Sequence, residues 1–94
     1  MIFHLPSALR RFAGDNEVVE MRIPLDTRIT VGEAFVMLGR DYSAIRQRVL
    51  DDQNNIRRHV NVFVNGENVR FAQGGLTQVS NDSDVWIYPA LSGG

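Results

Sequence analysis

Two short stretches near the start of the chain have the apolar and polar patterning of β-strands. Residues 2–5 are mainly apolar and stop at Pro6, and residues 17–23 alternate until Pro24. Proline removes a backbone donor and so tends to end a strand. A polar loop through residues 14–16 separates the stretches, and we predict that they pair as a first hairpin.

The pattern then changes to a helical period at residue 30. The sequence Thr30-Val31-Gly32-Glu33 has the form of a capping box, in which the Thr30 hydroxyl and the Glu33 side chain each bond the other's backbone amide. We predict a helix that begins here and that Gly39 ends in the left-handed conformation. Its apolar stripe would be Val31, Ala34, Phe35 and Leu38.

A second helix and a strand-rich segment complete the pattern. A short helix is predicted over residues 43–50, with Ile45 and Val49 on one side. Residues 59–64 then alternate, Asn65-Gly66 suits the two positive-φ positions of a tight turn, and residues 67–71 return. Further turns at residues 74–75 and 81–84 lead to a last strand, residues 85–88, which Pro89 stops.

The element order strand, strand, helix, strand, strand, strand predicts an α+β fold of the β-grasp type. One main helix would cover one face of a mixed sheet. We predict a β-grasp domain over residues 1–89 and a flexible tail over residues 90–94. The side chains expected to face the helix are Met1, Phe3, Leu5, Val31, Phe35, Leu38, Val60, Val62, Val64, Leu76, Val85 and Ile87.

Strand alternation places a second set of side chains on the opposite face, where no helix is available to cover them. This set comprises Ile2, His4, Phe63, Trp86 and Tyr88. An exposed aromatic patch commonly marks a partner, so Phe63, Trp86 and Tyr88, with Leu91 of the tail, are the predicted partner-binding residues. Two alternatives to a partner stay open: loops could fold over the patch, or the aromatic pairs could simply stabilise the sheet.

Composition narrows the class of protein. The chain has 94 residues, enough for one domain, with 44% hydrophobic and 22% charged residues. Its net charge is -1, and its basic residues are spread along the sequence among acidic ones, which argues against nucleic acid as a partner. No apolar run is long enough for a membrane span and no signal-peptide core precedes Arg10, so we expect a cytoplasmic protein.

Catalytic and metal-binding patterns are not found in the sequence. The chain has no cysteine, which excludes disulfides, thiolate metal sites and cysteine nucleophiles. His4 and His59 lie far apart without a carboxylate at ligand spacing, so no metal site is predicted. Acidic residues at 51–52 and at 82 and 84 lie in turn sequences, where Asp commonly bonds its own backbone. Gly74-Gly75 lacks the lysine and helix start of a phosphate loop.

The remaining candidate is the terminal Gly93-Gly94. A chance pair of glycines has a likelihood of roughly one in two hundred, because glycine makes up about 7% of residues. From Pro89 the tail can extend roughly 16 Å over five residues, far enough to enter another protein's cleft. Glycine has no β-carbon, so the backbone can pass through a narrow channel. The chain also has no lysine, and therefore no side-chain amine that could capture an activated carboxyl group.

The terminal Gly93-Gly94 after a strand, with the β-grasp order, resembles the small sulfur carriers related to ubiquitin. That family includes the molybdopterin synthase small subunit and the thiamine sulfur carrier. Residues 58–71, 5–10 and 74–76 are most similar to the subgroup that serves cysteine biosynthesis.

This resemblance implies a protein substrate, not an enzyme, with no cofactor bound permanently. A ubiquitin-activating-type adenylyltransferase would consume ATP to adenylate Gly94, and a sulfur donor would convert the adenylate to a thiocarboxylate. The acceptor would be a pyridoxal-phosphate-dependent cysteine synthase, with a metalloprotease releasing cysteine from Gly94, or the molybdopterin synthase large subunit. Gly93 and Gly94 are the residues to which the resemblance assigns function.

Other functions stay open at this point. The chain could be a fixed subunit of molybdopterin synthase, or could serve another cofactor or siderophore pathway. It could also be attached to proteins through isopeptide bonds, as ubiquitin is, or be a purely structural β-grasp domain.

Overall fold

The structure, a computed structural model, describes residues 1–89. Its seven strands are β1 (Ile2–His4), β2 (Val18–Glu20), β3 (Ile29–Thr30), β4 (Val60–Val64), β5 (Glu67–Asn68), β6 (Gln78–Val79) and β7 (Asp84–Pro89). Its α-helices are α1 (Ser7–Arg10), α2 (Val31–Leu38) and α3 (Ser43–Val49). Short 3-10 helices cover Arg11–Ala13, Val69–Phe71 and Gly74–Leu76.

Five strands form one mixed sheet in the order β2-β1-β7-β4-β5, and β3 pairs with β6 in a small second sheet. β1 and β7 run parallel, with Phe3 opposite Val85. β1 also pairs antiparallel with β2, which confirms the predicted first hairpin. Helix α2 lies on one face, and its Phe35 ring packs against that of Phe3 at 5.4 Å between centroids. The β-grasp prediction is confirmed.

The capping box at the start of α2 is confirmed. The backbone amide of Glu33 donates to the Thr30 hydroxyl oxygen at 3.1 Å, and the Thr30 amide donates to the Glu33 carboxylate at 3.1 Å. These hydrogen bonds from Thr30, backbone first and side chain second, hold the pKa of Glu33 below its usual value.

The prediction that Gly39 ends α2 in the left-handed conformation is wrong, because its φ is -65°. Glycine is required here for another reason. A β-carbon at this position would lie 2.8 Å from the β-carbon of Arg46 on α3. The small residue therefore allows the predicted second helix, confirmed over Ser43–Val49, to pack closely against the end of α2.

The β4–β5 hairpin has the predicted turn but a shorter return strand. Asn65 and Gly66 have φ values of 50° and 87°, as a tight turn of this kind needs. Only Glu67–Asn68 pairs with β4, instead of the predicted residues 67–71. The chain leaves the sheet because the Asn68 side chain accepts a hydrogen bond from the Arg70 amide at 2.9 Å and caps a 3-10 helix.

Helix α1 and the 3-10 turn after it occupy residues 7–13, between the predicted first strand and the predicted loop at residues 14–16, where we predicted no helix. Pro6 precedes the first helical residue, Leu9 and Ala13 are buried, and Gly14 ends the segment with a φ of 62°. The helix-like spacing of Leu9 and Ala13 and the Pro6 and Gly14 boundaries were the available signals.

The predicted core is confirmed except at one position. Leu76 is 70% exposed, and the prediction that it faces inward is wrong. Its backbone lies in a 3-10 turn in which its amide donates to the Gln73 carbonyl at 3.0 Å, and Val79 of β6, 2% exposed, enters the core instead. Within residues 1–89, no helix has the length and apolar character that crossing a bilayer requires.

Candidate functional site

Strand β7 is the last element of the described part of the chain. It lies between β1 and β4 in the middle of the sheet, and its last residue, Pro89, is opposite Val60. Pairing with β4 extends to Pro89, which we call the root of the tail, whereas β1 pairs with residues 84–86 of the strand. Leu91, Gly93 and Gly94, together with the predicted flexibility of residues 90–94, lie outside the described residues.

The sheet face opposite α2 carries the predicted aromatic residues. Alternation along β4 and β7 places Phe63, Trp86 and Tyr88 on it, and β1 adds His4 and Ile2. We call these five residues the aromatic face. Trp86 and Tyr88 are 40% and 43% exposed, so the described part of the chain does not fold over them. The structure thus brings together the predicted partner-binding residues of the folded body.

The rings of the aromatic face contact one another in sequence across three strands. The His4 ring stacks on Trp86 at 3.8 Å between centroids and an interplanar angle of 1°. Trp86 lies nearly parallel to Tyr88 at 5.9 Å, and Phe63 meets Tyr88 edge-on at 5.6 Å. Because each ring restrains its neighbour, the face is rigid before any partner binds, which lowers the entropy cost of binding. These pairs also stabilise the sheet.

His4 has a carboxylate partner that sequence spacing did not reveal. Its Nε2 atom lies 2.8 Å from Oδ1 of Asp84, the first residue of β7. The sequence interpretation assigned Asp84 to a backbone-bonding turn, which is wrong for this residue. The same interpretation is correct for Asp51, whose Oδ1 accepts hydrogen bonds from the amides of Gln53 and Asn55. The parallel pairing of β1 with β7 brings His4 and Asp84 together, and only the topology of the sheet could have indicated it.

A cleft of about 660 Å³ lies between α2 and the turn at residues 73–76. Its charged side chains are Glu33 and Arg40, and Glu33 is already bound to Thr30 in the capping box. A β-carbon on Gly32 would lie 3.2 Å from the Gly75 carbonyl oxygen, so the two segments approach closely at this wall. Within residues 1–89, no three His, Asp or Glu side chains are grouped so that they could hold a metal ion. Between this cleft and the aromatic face, the aromatic face is therefore the surface whose geometry suits binding of a partner.

Comparison with known proteins gives a consistent family. The sequence pattern of the ThiS family matches residues 4–94, a range that includes Gly93 and Gly94. The chain is 33% identical over 92 residues to the sulfur carrier protein CysO of Mycobacterium tuberculosis, covering 96% of this chain and 94% of the relative.

Two further relatives extend the comparison. Small archaeal modifier protein 3 of Haloferax volcanii is 32% identical over 92% of this chain and 96% of its own length. Among solved structures, a chain in the crystal structure of the Amycolatopsis orientalis BexX/CysO complex superposes with a TM-score of 0.83. It has 29% sequence identity and covers 99% of this chain and 98% of that one.

Proposed function

Because the chain belongs to the ThiS family, we propose that its terminal Gly94 carries sulfur as a thiocarboxylate and donates it in biosynthesis, most directly of cysteine. The observation that supports this most is the position of Gly93 and Gly94, four and five residues beyond a root that the central strand of a β-grasp sheet holds in place. We expect this exchange to take place in the cytoplasm.

The proposed chemistry needs an external activating enzyme, because a carboxylate does not react with sulfide unaided. An oxygen of the Gly94 carboxylate attacks the α-phosphate of ATP, which forms an acyl adenylate and releases pyrophosphate. A sulfide from the donor then bonds to the acyl carbon, and AMP leaves. The product is a thiocarboxylate, an ionised sulfur nucleophile. ATP is a substrate of the partner, and the chain keeps no cofactor of its own.

The folded body would serve recognition in this scheme. The aromatic face offers a rigid surface with large, partly exposed rings, the type of residue that contributes most to protein interfaces. The Amycolatopsis structure is that of a complex of BexX with CysO. By analogy we propose that the aromatic face binds the ubiquitin-activating-type adenylyltransferase while the tail enters its active site.

We propose cysteine as the first acceptor pathway because residues 58–71 resemble the cysteine-biosynthesis carriers. The sulfur of Gly94 would add to an aminoacrylate on a pyridoxal-phosphate-dependent synthase, and a metalloprotease would then release cysteine. The direct test incubates the thiocarboxylated chain with the synthase of the same genome and its amino-acid substrate. We expect the thiocarboxylated chain to gain the mass of one aminoacrylate, so that Gly94 carries a cysteinyl residue.

The same preparation distinguishes the alternative acceptor. If the chain gained no cysteine, yet supported molybdopterin formation with a molybdopterin synthase large subunit, the proposed pathway would be wrong and the small-subunit function correct. A chain without Gly93 and Gly94 serves as the control in both reactions and should support neither.

A second candidate function is protein modification, which the similarity to small archaeal modifier protein 3 favours. The chain has no lysine, so any lysine side chain to which its Gly94 is attached belongs to another protein. Because the chain has no Arg or Lys after Arg70, the proteomics uses cells that express a tagged Ser92→Arg variant, from which trypsin leaves a Gly-Gly remnant on each target lysine. Their presence on many targets, with loss on deletion of this gene, would favour modification over dedicated sulfur transfer.

A further inference from the structure

Half of the arginines, spread from residue 11 to residue 70 in sequence, lie close together in space near the root of the tail. We call this group the basic rim, and it consists of Arg11, Arg48, Arg57, Arg58 and Arg70. Four of these residues are exposed, and Arg57 is partly buried. The fold creates a charged surface that the spacing of these residues along the chain does not indicate.

The basic rim reaches the root through Arg48, which shares the Phe12 ring with Arg11. The guanidinium groups of Arg11 and Arg48 lie over the Phe12 ring, at 4.7 and 4.1 Å from its centroid. Arg48 also lines a small notch together with His59 and Pro89. Arg58 precedes His59, so the rim continues from helix α1 past the notch to the start of β4.

Hydrogen bonds hold other rim side chains without neutralising them. Arg70 Nη2 donates to the Arg58 carbonyl oxygen at 2.8 Å, and Arg57 Nε donates to the Gln47 carbonyl oxygen at 3.0 Å. Within residues 1–89, carboxylates lie within 4 Å of a basic side chain in two places, Glu20 with Arg22 and Asp84 with His4, and neither belongs to the rim. The rim is therefore a preorganised cationic surface without direct ion pairs among the described residues.

The notch gives this surface an apolar centre. Its volume is about 190 Å³, and its walls are mainly apolar side chains, among them Pro6, Leu9, Val49, Ile87 and Pro89. An apolar pocket surrounded by charged and polar groups is the usual arrangement at the centre of a protein interface. The notch is of a size to receive an aliphatic side chain.

The position of the rim indicates what covers it. Any enzyme that acts on Gly94 must bring its active site within roughly 16 Å of Pro89, the reach of five extended residues. The mouth of that enzyme's cleft then lies against the basic rim. Unpaired cations stabilise such an encounter only when the facing surface is acidic.

We propose that the basic rim is a docking surface for the activating enzyme, whose cleft mouth carries carboxylates that face the arginines and an aliphatic side chain that enters the notch. This inference rests on the proposed function and adds a surface that adjoins the aromatic face at Tyr88, which also lines the notch. A nucleic acid is the other polyanion to consider. The Phe12 ring, already covered by Arg11 and Arg48, does not offer a free platform for stacking a base.

The test compares two double variants that change the net charge equally. Arg11→Glu with Arg58→Glu reverses charge on the rim. The matched control, Arg22→Glu with Arg28→Glu, reverses charge near Asn81, in the turn that precedes β7. The association rate constant with the activating enzyme of the same genome is measured by stopped-flow fluorescence at low and high ionic strength.

We expect the rim variant to associate at least about tenfold more slowly than wild type at low ionic strength, with a difference that shrinks as salt screens the charges. The control should stay within about twofold. Arg11→Gln with Arg58→Gln should give an intermediate rate, and urea unfolding checks that each variant folds. Equal slowing by rim and control variants, or no slowing at all, would overturn the inference.

The outcomes also separate this inference from the proposed function. If the enzyme adenylates the wild-type chain and the rim variant associates as fast as wild type, the docking surface is ruled out and the sulfur-carrier chemistry still stands. If the activating enzyme does not adenylate the wild-type chain, both the docking surface and the proposed function are ruled out. The inference would also be overturned if the wild-type chain bound a single-stranded polyuridine oligonucleotide more tightly than it binds the activating enzyme.

Discussion

Trp86 lies at the centre of the aromatic face, with the His4 ring on one side and the Tyr88 ring on the other. Its side chain combines substantial exposure with restraint by both neighbours. A large ring held in one orientation loses little entropy on binding, and tryptophan is enriched among residues that dominate interface energies.

We predict that Trp86→Ala weakens binding to the activating enzyme by about 30-fold or more, the effect of losing an interface hot spot. The free energy of unfolding should fall by only about 1 kcal/mol, because the lost contacts are surface ring pairs. Calorimetric binding and urea unfolding measure the two effects. Phe71→Ala is the control, since Phe71 is 82% exposed and lies outside the aromatic face, and it should change neither. A stability loss with unchanged affinity would show that the ring serves the sheet alone.

Thr30 and Glu33 stabilise the start of α2 through their reciprocal hydrogen bonds. We predict that Thr30→Ala lowers the free energy of unfolding by about 1 kcal/mol, the typical cost of losing a capping hydroxyl. Urea unfolding of wild type and Thr30→Ala at neutral pH measures this loss of free energy. An unchanged midpoint would mean that α2 is held by packing alone.

The stabilisation from Glu33 should depend on pH. Hydrogen bonds from Thr30 lower the pKa of Glu33 in the folded chain below its usual 4.5. Stability from a lowered pKa is fully present above the unfolded value and is lost as pH falls through the folded one. Wild type should therefore be more stable than Glu33→Gln at neutral pH, and the gap should narrow under acid. A gap that stays constant down to about pH 3 would contradict this account.

At the scale of elements, Gly39 controls how closely α3 packs against α2. We predict that Gly39→Ala costs about 1–3 kcal/mol, because the added β-carbon would overlap Arg46 and force the two helices apart. Gly75→Ala is the control, since a β-carbon there meets no atom within 4 Å. Urea unfolding of both variants makes the comparison.

Gly39→Asn separates close packing from a left-handed cap. Asparagine tolerates the left-handed conformation better than alanine, so it would be the milder substitution if backbone conformation were the reason for glycine. With φ at -65°, we expect Asn to be at least as destabilising as Ala.

The elements that the sequence predicted well are those set by neighbouring residues. The capping box at Thr30 and Glu33 and the Asn65-Gly66 turn depend on local chemistry, and both are confirmed. Strand alternation likewise separated the buried face from Trp86 and Tyr88. Local patterns therefore predicted the β-grasp order and the aromatic face.

The features that sequence analysis missed depend on residues distant in the chain. The side chain that makes a glycine necessary at position 39 is Arg46 on α3, and the partner of His4 is Asp84 on β7. The outward position of Leu76 follows from a 3-10 turn, and Val79 enters the core in its place. The basic rim likewise forms only after folding brings residues 11, 48 and 58 together near the root of the tail. Spacing along the sequence carries no direct record of such contacts.

At the scale of the whole molecule, the chain is a sulfur carrier of the ThiS type with a β-grasp body. The sheet fixes the root of the tail on its central strand, presents the aromatic face on one side and leaves the basic rim around the root. The surfaces proposed for recognition thus lie on the described body, and the residues proposed for the chemistry, Gly93 and Gly94, lie outside the described residues.

The measurement that tests the central claim most directly is the intact mass of the chain after incubation with ATP, its activating enzyme and a sulfide source. The account predicts that one oxygen is replaced by one sulfur, and that a variant ending at Ser92 is unchanged. An unmodified wild-type chain, in a mixture where the enzyme consumes ATP and converts a known sulfur carrier, would contradict it.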